Sequence, residues 1–298
     1  MSISPFRYPG AKSKKNVMEK IKKYFPSSFD HFYEPMCGGA SMSLSINPKS
    51  VKTIWMNDID DNLISVFLEL KNNPNEFIKK CKQIEPHKDG EELTSARLNG
   101  KPIYNKRLKN KFYELLNNPT SDKALKFLFI NRTVWMGRVN FREPSQMYFS
   151  VPEGWNIVKT DRLEKVAEIV KNIKITFGDY RPLLQDNADN VLCFIDPPYF
   201  VNTFMPKKRQ LYAYGFSVRN HIELRNEIRK SKHKILITYD DCPQVRKLYK
   251  EEDGFYLHSE KWTYSGCPIP KDGKISLKTG KELIITNYEV SEKEGKIF

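Results

Sequence analysis

Residues 191–199 read VLCFIDPPY, and the fold is organised around this stretch. The five apolar residues lie between Asn190 and two prolines, a pattern typical of a short buried strand in a parallel sheet. Because proline cannot continue a strand ladder, we expect the strand to stop at Asp196. A carboxylate, the Pro197 carbonyl and the Tyr199 ring then stand where open α/β sheets bind ligands. A planar substrate bearing NH groups would suit them; a capping aspartate at a structural strand end is the alternative.

The composition is strongly basic. The chain of 298 residues carries 50 lysines and arginines against 36 acidic residues, a net charge of +14. Such an excess favours a polyanionic partner, although a protein from a lysine-rich proteome would share it. The five cysteines form no CxxC pair and the five histidines show no ligand spacing, which predicts a reduced, intracellular protein without a zinc site. We expect no membrane span and no secretory signal.

Two further strands predict a nucleotide-type site. A strand over residues 29–35 leads into Gly38 and Gly39, and glycines at such a turn let a cofactor approach the backbone. A second strand over residues 51–56 is followed by Asp58, about 20 residues past the glycines, where an acidic residue usually binds ribose hydroxyls. The alternative is that Asp58 only caps the next helix.

The rest of the chain predicts an alternation of helices and strands. Helices are expected over residues 17–24, 40–46, 61–70, 221–230 and 245–249, and strands over residues 173–177, 234–239, 255–263 and 282–290. Residues 201–216 form a long aromatic and basic segment, which predicts a lid or a substrate loop. The basic N-terminal segment FRYPGAKSKK, residues 6–15, suits an anionic small molecule, unless it is disordered.

Residues 75–155 differ in composition from both flanks. Lysine and arginine become dense, and residues 131–142 read NRTVWMGRVNFR. Arginine and asparagine pair with guanine and adenine edges, and aromatic side chains wedge into base stacks. The alternative is a salt-bridged surface segment with a core tryptophan. We expect the lysines of residues 99–111 and the cations of residues 207–209 to contact phosphates.

Five motifs occur in a characteristic order: FRYPGAK, EPMCGGAS, NDID, FLFINR and IDPPY, with KELIITNY near the end. In this order the chain resembles the Dam-like family of DNA adenine-N6 methyltransferases. The resemblance implies an α/β class I Rossmann-like methyltransferase sheet of seven strands, the last one reversed, with helices on both faces. It also implies a catalytic domain over residues 1–74 and 156–298, and an inserted, mostly helical DNA-recognition region over residues 75–155.

The resemblance further implies S-adenosyl-L-methionine as methyl donor, without a metal, and roles for individual residues. Cofactor binding is implied for Tyr8, Lys12, Pro35, Gly38, Gly39, Asp58, Asp179 and Asp196. The catalytic motif is Asp196, Pro197, Pro198 and Tyr199, in which Asp196 and the Pro197 carbonyl each accept an N6–H bond of a flipped-out adenine while Tyr199 stacks on it. Base recognition is expected from Asn131, Arg132, Trp135, Arg138 and Asn140.

The chain departs from the family pattern at three places. Ala40 stands where the glycine loop usually has its second glycine, and Tyr8 and Ala11 replace a more usual tryptophan and glycine. Residues 137–142 differ from the run found in members that read GATC. Adenine chemistry is therefore better supported than any recognition sequence.

Duplex DNA is the expected partner, in the cytoplasm of a bacterial or phage-infected cell. A cognate restriction endonuclease acting separately stays open. An RNA adenine methyltransferase and a catalytically silent DNA-binding relative are alternatives. Cytosine-N4 methylation is a minor variant, because such enzymes tend to carry serine in place of Asp196.

Overall fold

A computed structural model provides the architecture. It describes residues 4–7, 12, 15–84, 97–98, 101–102, 106–150, 160–204, 214–263 and 279–290. The predicted loop of residues 201–216 lies largely outside the described residues, as do Tyr8, the cations of residues 207–209 and part of the lysine-rich stretch of residues 99–111. Within the described ranges, none of the helices is long and apolar enough to cross a membrane.

The core is a seven-stranded sheet. In chain order, the strands are β1 (His31–Glu34), β2 (Thr53–Asp58), the small separate hairpin β3 (Arg97–Leu98) and β4 (Lys101–Pro102), then β5 (Ile173–Phe177), β6 (Val191–Ile195), β7 (Lys234–Asp240), β8 (Tyr256–Thr263) and β9 (Thr279–Thr286). The spatial order is β5-β2-β1-β6-β7-β9-β8, and β9 runs antiparallel to both of its neighbours. The predicted methyltransferase sheet with a reversed last strand is confirmed.

Helices flank this sheet. They are α1 (Lys15–Lys22), α2 (Asp61–Asn72), α3 (Pro74–Ile84), α4 (Lys106–Asn117), α5 (Lys123–Thr133), α6 (Thr160–Val170), α7 (Arg181–Leu184), α8 (Phe200–Thr203), α9 (Val218–Lys230) and α10 (Pro243–Leu248). Local caps fix several starts: the Asp122 carboxylate accepts from the Leu125 amide at α5, and Ser217 and Asn220 form a capping box at α9.

Side chains alternate along the central strands between two apolar clusters. In β6, Leu192 and Phe194 pack into one cluster, whereas Cys193 and Ile195 pack into the other. Successive side chains of a strand point to opposite faces, so the sheet is buried on both sides. This alternation also decides which side chains can meet: Asp196, just past β6, continues the face of Phe194.

The order of the strands creates the crevice. The chain leaves β1 for β2 on one side and returns through β6 on the other, and both neighbours are parallel to β1. Ligands of open α/β sheets bind at the carboxyl ends of strands at such a reversal. The fold therefore places Glu34, at the end of β1, beside Asp196, just past the end of β6.

The described part of residues 75–155 is mostly helical and shares its core with the rest of the chain. Phe6 makes edge-on ring contacts with Phe67 of α2 at 5.2 Å and with Phe127 of α5 at 5.5 Å. Phe112 of α4 belongs to the same apolar cluster. The division of the chain into two domains stays a prediction.

The helix expected over residues 40–46 does not form. Residues 40–46 contain a short 3-10 turn at Ser43–Ser45 instead of the predicted helix. The reason is that Ala40 has φ of +52°, which interrupts a right-handed helix, and Ile46 is extended. The second strand ends at Asp58 as expected, and this carboxylate belongs to its last residue.

Candidate active site

A cavity of about 260 Å³ lies at the carboxyl ends of β1, β2 and β6. It brings together most of the residues for which a cofactor or catalytic role was predicted, namely Lys12, Pro35, Gly38, Gly39, Asp58, Asp179, Asp196 and Pro198. In the same motif, Pro197 is buried and Tyr199 is half-buried.

Asp196 is held by two side chains that are distant in sequence. Lys12 Nζ donates to Asp196 Oδ1 at 2.9 Å and to Oδ2 at 3.2 Å, and Thr238 Oγ1 donates to Oδ1 at 2.6 Å. Lys12 is buried with 5% exposure, whereas Asp196 keeps 22%. A carboxylate offers about four acceptor sites, so Asp196 retains capacity for an N–H donor from a substrate.

Tyr199 is anchored through its hydroxyl group. Lys12 Nζ donates to Tyr199 Oη at 2.6 Å and lies 4.7 Å from the centroid of its ring. Tyr199 Oη in turn donates to Glu282 Oε2. The Tyr199 ring is therefore fixed at its hydroxyl end by Lys12 of the N-terminal segment and Glu282 of β9.

Glu282 is completely buried. Burial raises its pKa to about 7, opposed by Lys12 and by the Tyr199 hydrogen bond and reinforced by Asp196 and Asp240. The sequence analysis missed Glu282 and Thr238. The available signal was a single polar residue inside an apolar strand, in KELIIT and in KILITY.

Asp58 is held by main-chain amides. Gly38 N donates to Asp58 Oδ2 at 2.7 Å and Asp60 N donates to Oδ1 at 3.0 Å. Burial raises the pKa of Asp58 to about 6, and the two amides oppose that rise. The cap of α2 is Asp60, which accepts from the Asn62 and Leu63 amides. Asp60, and not Asp58, is therefore the residue that caps α2.

Asn57 ties together the loops that follow β1 and β5. Its Nδ2 donates to the Pro35 carbonyl at 3.1 Å and to the Gly178 carbonyl at 3.0 Å, while its Oδ1 accepts from Thr176 Oγ1 at 2.8 Å. Three strand ends are thereby kept in register at the cavity. The sequence analysis assigned no role to Asn57, which it contained only as the first residue of the NDID motif.

Glu34 lines the cavity and was also missed. Its Oε2 accepts from Ser43 N at 2.8 Å and from the Ser43 hydroxyl. Burial raises the pKa of Glu34 to about 8, with the Ser43 hydrogen bonds opposing and Asp196 and Asp58 adding to the rise. Asp179 lies nearer the solvent, where it accepts from the amide and the guanidinium of Arg181.

The residues expected to read bases fall into two groups. Asn131 and Arg132 are buried. The Asn131 amide accepts from Arg7 N at 2.9 Å and donates to the carbonyls of Arg7 at 2.8 Å and Gly137 at 3.1 Å. Base reading does not fit this placement of Asn131, because its side chain already binds the main chain of two segments.

Gly137 shows how tightly these segments approach. Its φ is +72°, and a Cβ built there would lie 1.9 Å from the Arg7 carbonyl oxygen. Only glycine fits both the left-handed conformation and this contact. Gly137 and Val139 line the cavity, so the segment after α5 forms one of its walls.

Trp135, Arg138 and Asn140 alternate along the chain with the cavity-lining Gly137 and Val139. Trp135 is 48% exposed, and the Arg138 guanidinium lies 6.0 Å from its ring. Arg138 and Asn140 are half-buried, and Asn140 Oδ1 accepts from Arg142 N at 3.2 Å. These three side chains are thus placed beside the cavity and near the surface.

Known DNA methyltransferases are similar in sequence to this chain over most of its length. The family model for D12 class N6 adenine-specific DNA methyltransferases matches residues 8–265. The type II methyltransferase M1.LlaDCHI of Lactococcus lactis subsp. cremoris is 25% identical and covers 97% of this chain and 96% of its own length. The type II methyltransferase M.MjaIII of Methanocaldococcus jannaschii is 22% identical, covering 77% and 81% of the two chains. The DNA adenine methylase of Haemophilus influenzae is 22% identical and covers 80% of each chain. The match to the family model spans most of the chain, and the chain therefore belongs to the D12 class of N6 adenine-specific DNA methyltransferases.

Proposed function

We propose that this DNA adenine-N6 methyltransferase uses Asp196 and the Pro197 carbonyl to activate the target amine, and Lys12, Thr238 and Tyr199 to hold that pair in place. The observation that carries the proposal is the Asp196 carboxylate: it stands at the cavity, fixed by Lys12 and Thr238, and still partly exposed.

The cavity fits S-adenosylmethionine, the methyl donor that the family implies. Asp58 Oδ1 and Oδ2 each accept one amide bond, which leaves acceptor sites for the hydroxyls of a ribose. Asp196 places a further carboxylate at the same cavity, which favours a cationic ligand, and Ile59 and Met36 add apolar wall. When bound, S-adenosylmethionine supplies an electrophilic methyl group. We propose Asp58 as ribose ligand, with Lys12, Pro35, Gly38, Gly39 and Asp179 lining the site and Tyr8 completing it.

Asp196 would act on the adenine itself. The exocyclic nitrogen is a poor nucleophile because its lone pair is delocalised into the ring. Accepting one N6–H bond at Asp196 and the other at the Pro197 carbonyl draws that nitrogen toward tetrahedral geometry and frees the lone pair. The carboxylate also stabilises positive charge that develops on N6. Holding the amine in line for attack supplies on the order of 7–11 kcal/mol of barrier reduction.

A stacked base cannot reach this cavity, so the adenine must leave the duplex, at a cost of a few kcal/mol. Stacking on Tyr199 would return about 1–3 kcal/mol. Because the Tyr199 hydroxyl is bound by Lys12 and Glu282, the ring does not have to be ordered when the base arrives.

For the duplex, we propose Trp135, Arg138 and Asn140 as the side chains nearest the bases, with Arg132 and Asn131 supporting their segment. The net charge of +14 supports phosphate contacts, so binding should weaken steeply with salt. An Arg138→Ala variant should change the preference among sites; an unchanged preference would remove Arg138 from this set.

The test is transfer of labelled methyl groups to unmethylated duplex DNA, followed by hydrolysis and identification of the modified base. We expect N6-methyladenine with the wild type, no turnover with Asp196→Ala, and wild-type turnover with Asp189→Ala, whose side chain is 94% exposed. Retained turnover in Asp196→Ala would refute the assignment. A parallel RNA substrate tests the RNA alternative, and cofactor binding without any transfer would point to a silent DNA-binding relative.

Two relatives carry type II methyltransferase names. By analogy we propose that a separate restriction endonuclease shares the recognition sequence of this chain, in the cytoplasm of the host cell. Mapping the methylated positions by modification-sensitive sequencing gives the sequence that such an endonuclease must cut.

A further inference from the structure

Three carboxylates lie side by side across the reversed part of the sheet. Glu282 in β9 is directly opposite Asp240 in β7 on one side and Glu260 in β8 on the other. Directly paired residues of antiparallel strands project from the same face, and like charges in such pairs repel each other. Glu282 is the middle member, so it experiences both repulsions.

The two outer members have partners of their own. Asp240 accepts the amides of Phe200 at 2.9 Å and Val201 at 3.2 Å, at the start of α8. Glu260 accepts from the Tyr24 hydroxyl at 2.9 Å and from Lys20 Nζ at 3.4 Å. Both therefore have donors that stabilise their charge.

Glu282 has one hydrogen-bonded oxygen. Its Oε2 accepts from Tyr199 Oη, whereas its Oε1 has no hydrogen-bond partner among the described residues. The residue is completely buried. A buried carboxylate with one unsatisfied oxygen between two other carboxylates is expensive in its ionised form. Such a costly group in contact with the catalytic motif calls for a functional reason.

The connection of Glu282 to the reacting centre is short. Tyr199 Oη donates to Glu282, Lys12 Nζ donates to Tyr199 Oη at 2.6 Å, and Lys12 Nζ donates to Asp196 Oδ1 at 2.9 Å. Lys12 thus binds both ends of the catalytic motif, and Glu282 stands behind it. The four groups are contributed by the N-terminal segment, by the motif after β6 and by β9.

We propose that Glu282 is a positioning residue for methyl transfer. In its ionised form it accepts the Tyr199 hydroxyl proton, so that the Tyr199 oxygen faces Lys12 and Lys12 holds Asp196 and Tyr199 together. When Glu282 is protonated, this arrangement is lost and transfer stops. This proposal rests on the proposed function, because it assigns Glu282 a role in that reaction.

The direction of the hydrogen bonds explains the effect of a proton. An ionised Glu282 is an acceptor only, so the Tyr199 hydroxyl must donate to it and presents its oxygen to Lys12. A protonated Glu282 becomes a donor, and it then competes with Lys12 for the same tyrosine oxygen. Loosening the Lys12–Tyr199 contact loosens the placement of Asp196, which shares Lys12.

The environment places this change near neutral pH. Burial raises the pKa of Glu282 to about 7, Lys12 and Tyr199 oppose the rise, and Asp196 and Asp240 add to it. The charged or titratable groups on the elements packed around Glu282 are Lys12, Asp196, Tyr199, Asp240, Glu260, and beyond Glu260 the pair Lys20 and Tyr24.

The experiment is the single-turnover rate of DNA methylation at saturating S-adenosylmethionine, between about pH 5.5 and 8.5, for wild type, Glu282→Gln and Glu260→Gln. Below the pH at which Glu282 becomes protonated, the wild-type rate should fall by about tenfold for each pH unit. Glutamine keeps an acceptor for Tyr199 but cannot titrate in this range. Glu282→Gln should therefore lose this acid limb, with a plateau about tenfold lower because a charged acceptor has become neutral. Glu260→Gln removes a like charge beside Glu282 and should therefore keep the acid limb but displace it to lower pH.

An acid limb in Glu282→Gln identical to that of the wild type would overturn the proposal. If that variant does not fold, Tyr199→Phe replaces it: without the hydroxyl through which Glu282 acts, the limb should again disappear, and its persistence would overturn the proposal. Unchanged cofactor affinity in Glu282→Gln distinguishes positioning from loss of the cofactor site.

A second measurement separates failure of this proposal from failure of the proposed function. If wild type forms no N6-methyladenine, the proposed function fails, and the melting temperature still reports on Glu282. The folded pKa lies above that of the unfolded chain, so the stability that Glu282 contributes is present at low pH and lost as pH rises through about 7. The melting temperature of Glu282→Gln should exceed that of wild type at pH 8 but not at pH 4. Glu260→Gln is measured at both pH values as the control. A difference independent of pH would show that Glu282 does not titrate, and would overturn the proposal.

Discussion

The two halves of the cavity are built in different ways. At the ends of β1 and β2, Glu34 and Asp58 are bound by main-chain amides of Ser43, Gly38 and Asp60. At the ends of β6 and β7, the side chain of Asp196 is bound by the side chains of Lys12 and Thr238, and the Tyr199 hydroxyl is bound by Lys12 and Glu282. We call the first the cofactor half and the second the transfer half.

This difference determines what mutations can do. Main-chain donors follow from the fold, so the cofactor half depends on the loop conformations and on the carboxylates themselves. The transfer half depends on side chains that meet only in the folded state, and each one supports another. Single substitutions in the transfer half should therefore reduce the rate of methyl transfer. Single substitutions in the cofactor half should reduce stability or cofactor affinity.

The largest effect is expected from Lys12→Met. This change removes the cation that binds both Asp196 and Tyr199 while keeping most of the side-chain volume. The rate of methyl transfer should fall on the order of a hundredfold or more, since a preorganised charged donor is lost. Stopped-flow or quench measurements with bound cofactor provide the rate. Lys15→Met, at a side chain 79% exposed, should behave as wild type. A proportionate loss of cofactor affinity with an unchanged rate would instead assign Lys12 to the cofactor half.

Asn57→Ala is the matching test of the cofactor half. It leaves the carbonyls of Pro35 and Gly178 without their buried donor, so the free energy of unfolding should fall by about 2–3 kcal/mol. Urea unfolding of the ligand-free protein measures it, with the exposed Asn187→Ala as control. The transfer rate of cofactor-saturated enzyme should change much less. A large loss of rate without a loss of stability would contradict the division into halves.

The cofactor half could largely be predicted from the sequence. Its signals are local: two glycines, an acid after the next strand, and a break after an apolar run. What failed there was also local, since Ala40 adopts φ of +52° and replaces the expected helix by a turn. A non-glycine residue with positive φ is uncommon, and the only signal in the sequence was that Ala40 stands where the family pattern usually has a glycine.

The transfer half could be predicted only at its motif. Asp196, Thr238 and Glu282 meet because they lie on one face of three adjacent strands, and the register that aligns them includes the reversed strand β9. Pairing between strands so distant in sequence is not visible in local patterns. Likewise, Asn131 has the chemistry of an adenine reader, but tertiary packing uses its amide to bind the main chain of Arg7.

Thr238→Val should have a smaller effect on the transfer half. It removes the 2.6 Å hydrogen bond to Asp196 Oδ1, and a methyl group of similar volume replaces the hydroxyl. A hydrogen bond to a charged group contributes about 1.5–3 kcal/mol, and Lys12 still holds the carboxylate, so the transfer rate should fall about tenfold. Thr238→Ser, which keeps the hydroxyl, should recover most of that rate. Equal losses in both variants would show that packing, and not the hydrogen bond, is responsible.

The smallest effect is the pH dependence of cofactor binding at Asp58. Burial raises the pKa of Asp58 from 3.8 to about 6, and the ionised form is the better acceptor for ribose hydroxyls. Relative to pH 8, the dissociation constant for S-adenosylmethionine should be about twofold larger at pH 6 and about tenfold larger at pH 5. Calorimetric titration measures it, and Asp58→Asn should bind more weakly but without this dependence.

Ionisation of Asp58 strengthens cofactor binding but lowers the stability of the folded protein. Because the folded pKa of Asp58 is above the unfolded value, its contribution to stability is present below pH 3.8 and is lost as pH rises through about 6. Asp58→Asn turns one acceptor oxygen into an NH2 group and so loses one of the two amide hydrogen bonds at every pH. Relative to wild type, the melting temperature of the ligand-free variant should still rise between pH 4 and pH 8, although the variant binds the cofactor less tightly. If both changes went in the same direction, the carboxylate would be stabilised by its amides and not held ready for a ligand. The cofactor half would then hold Asp58 in the same way as the transfer half holds Asp196, with main-chain donors in place of side-chain donors.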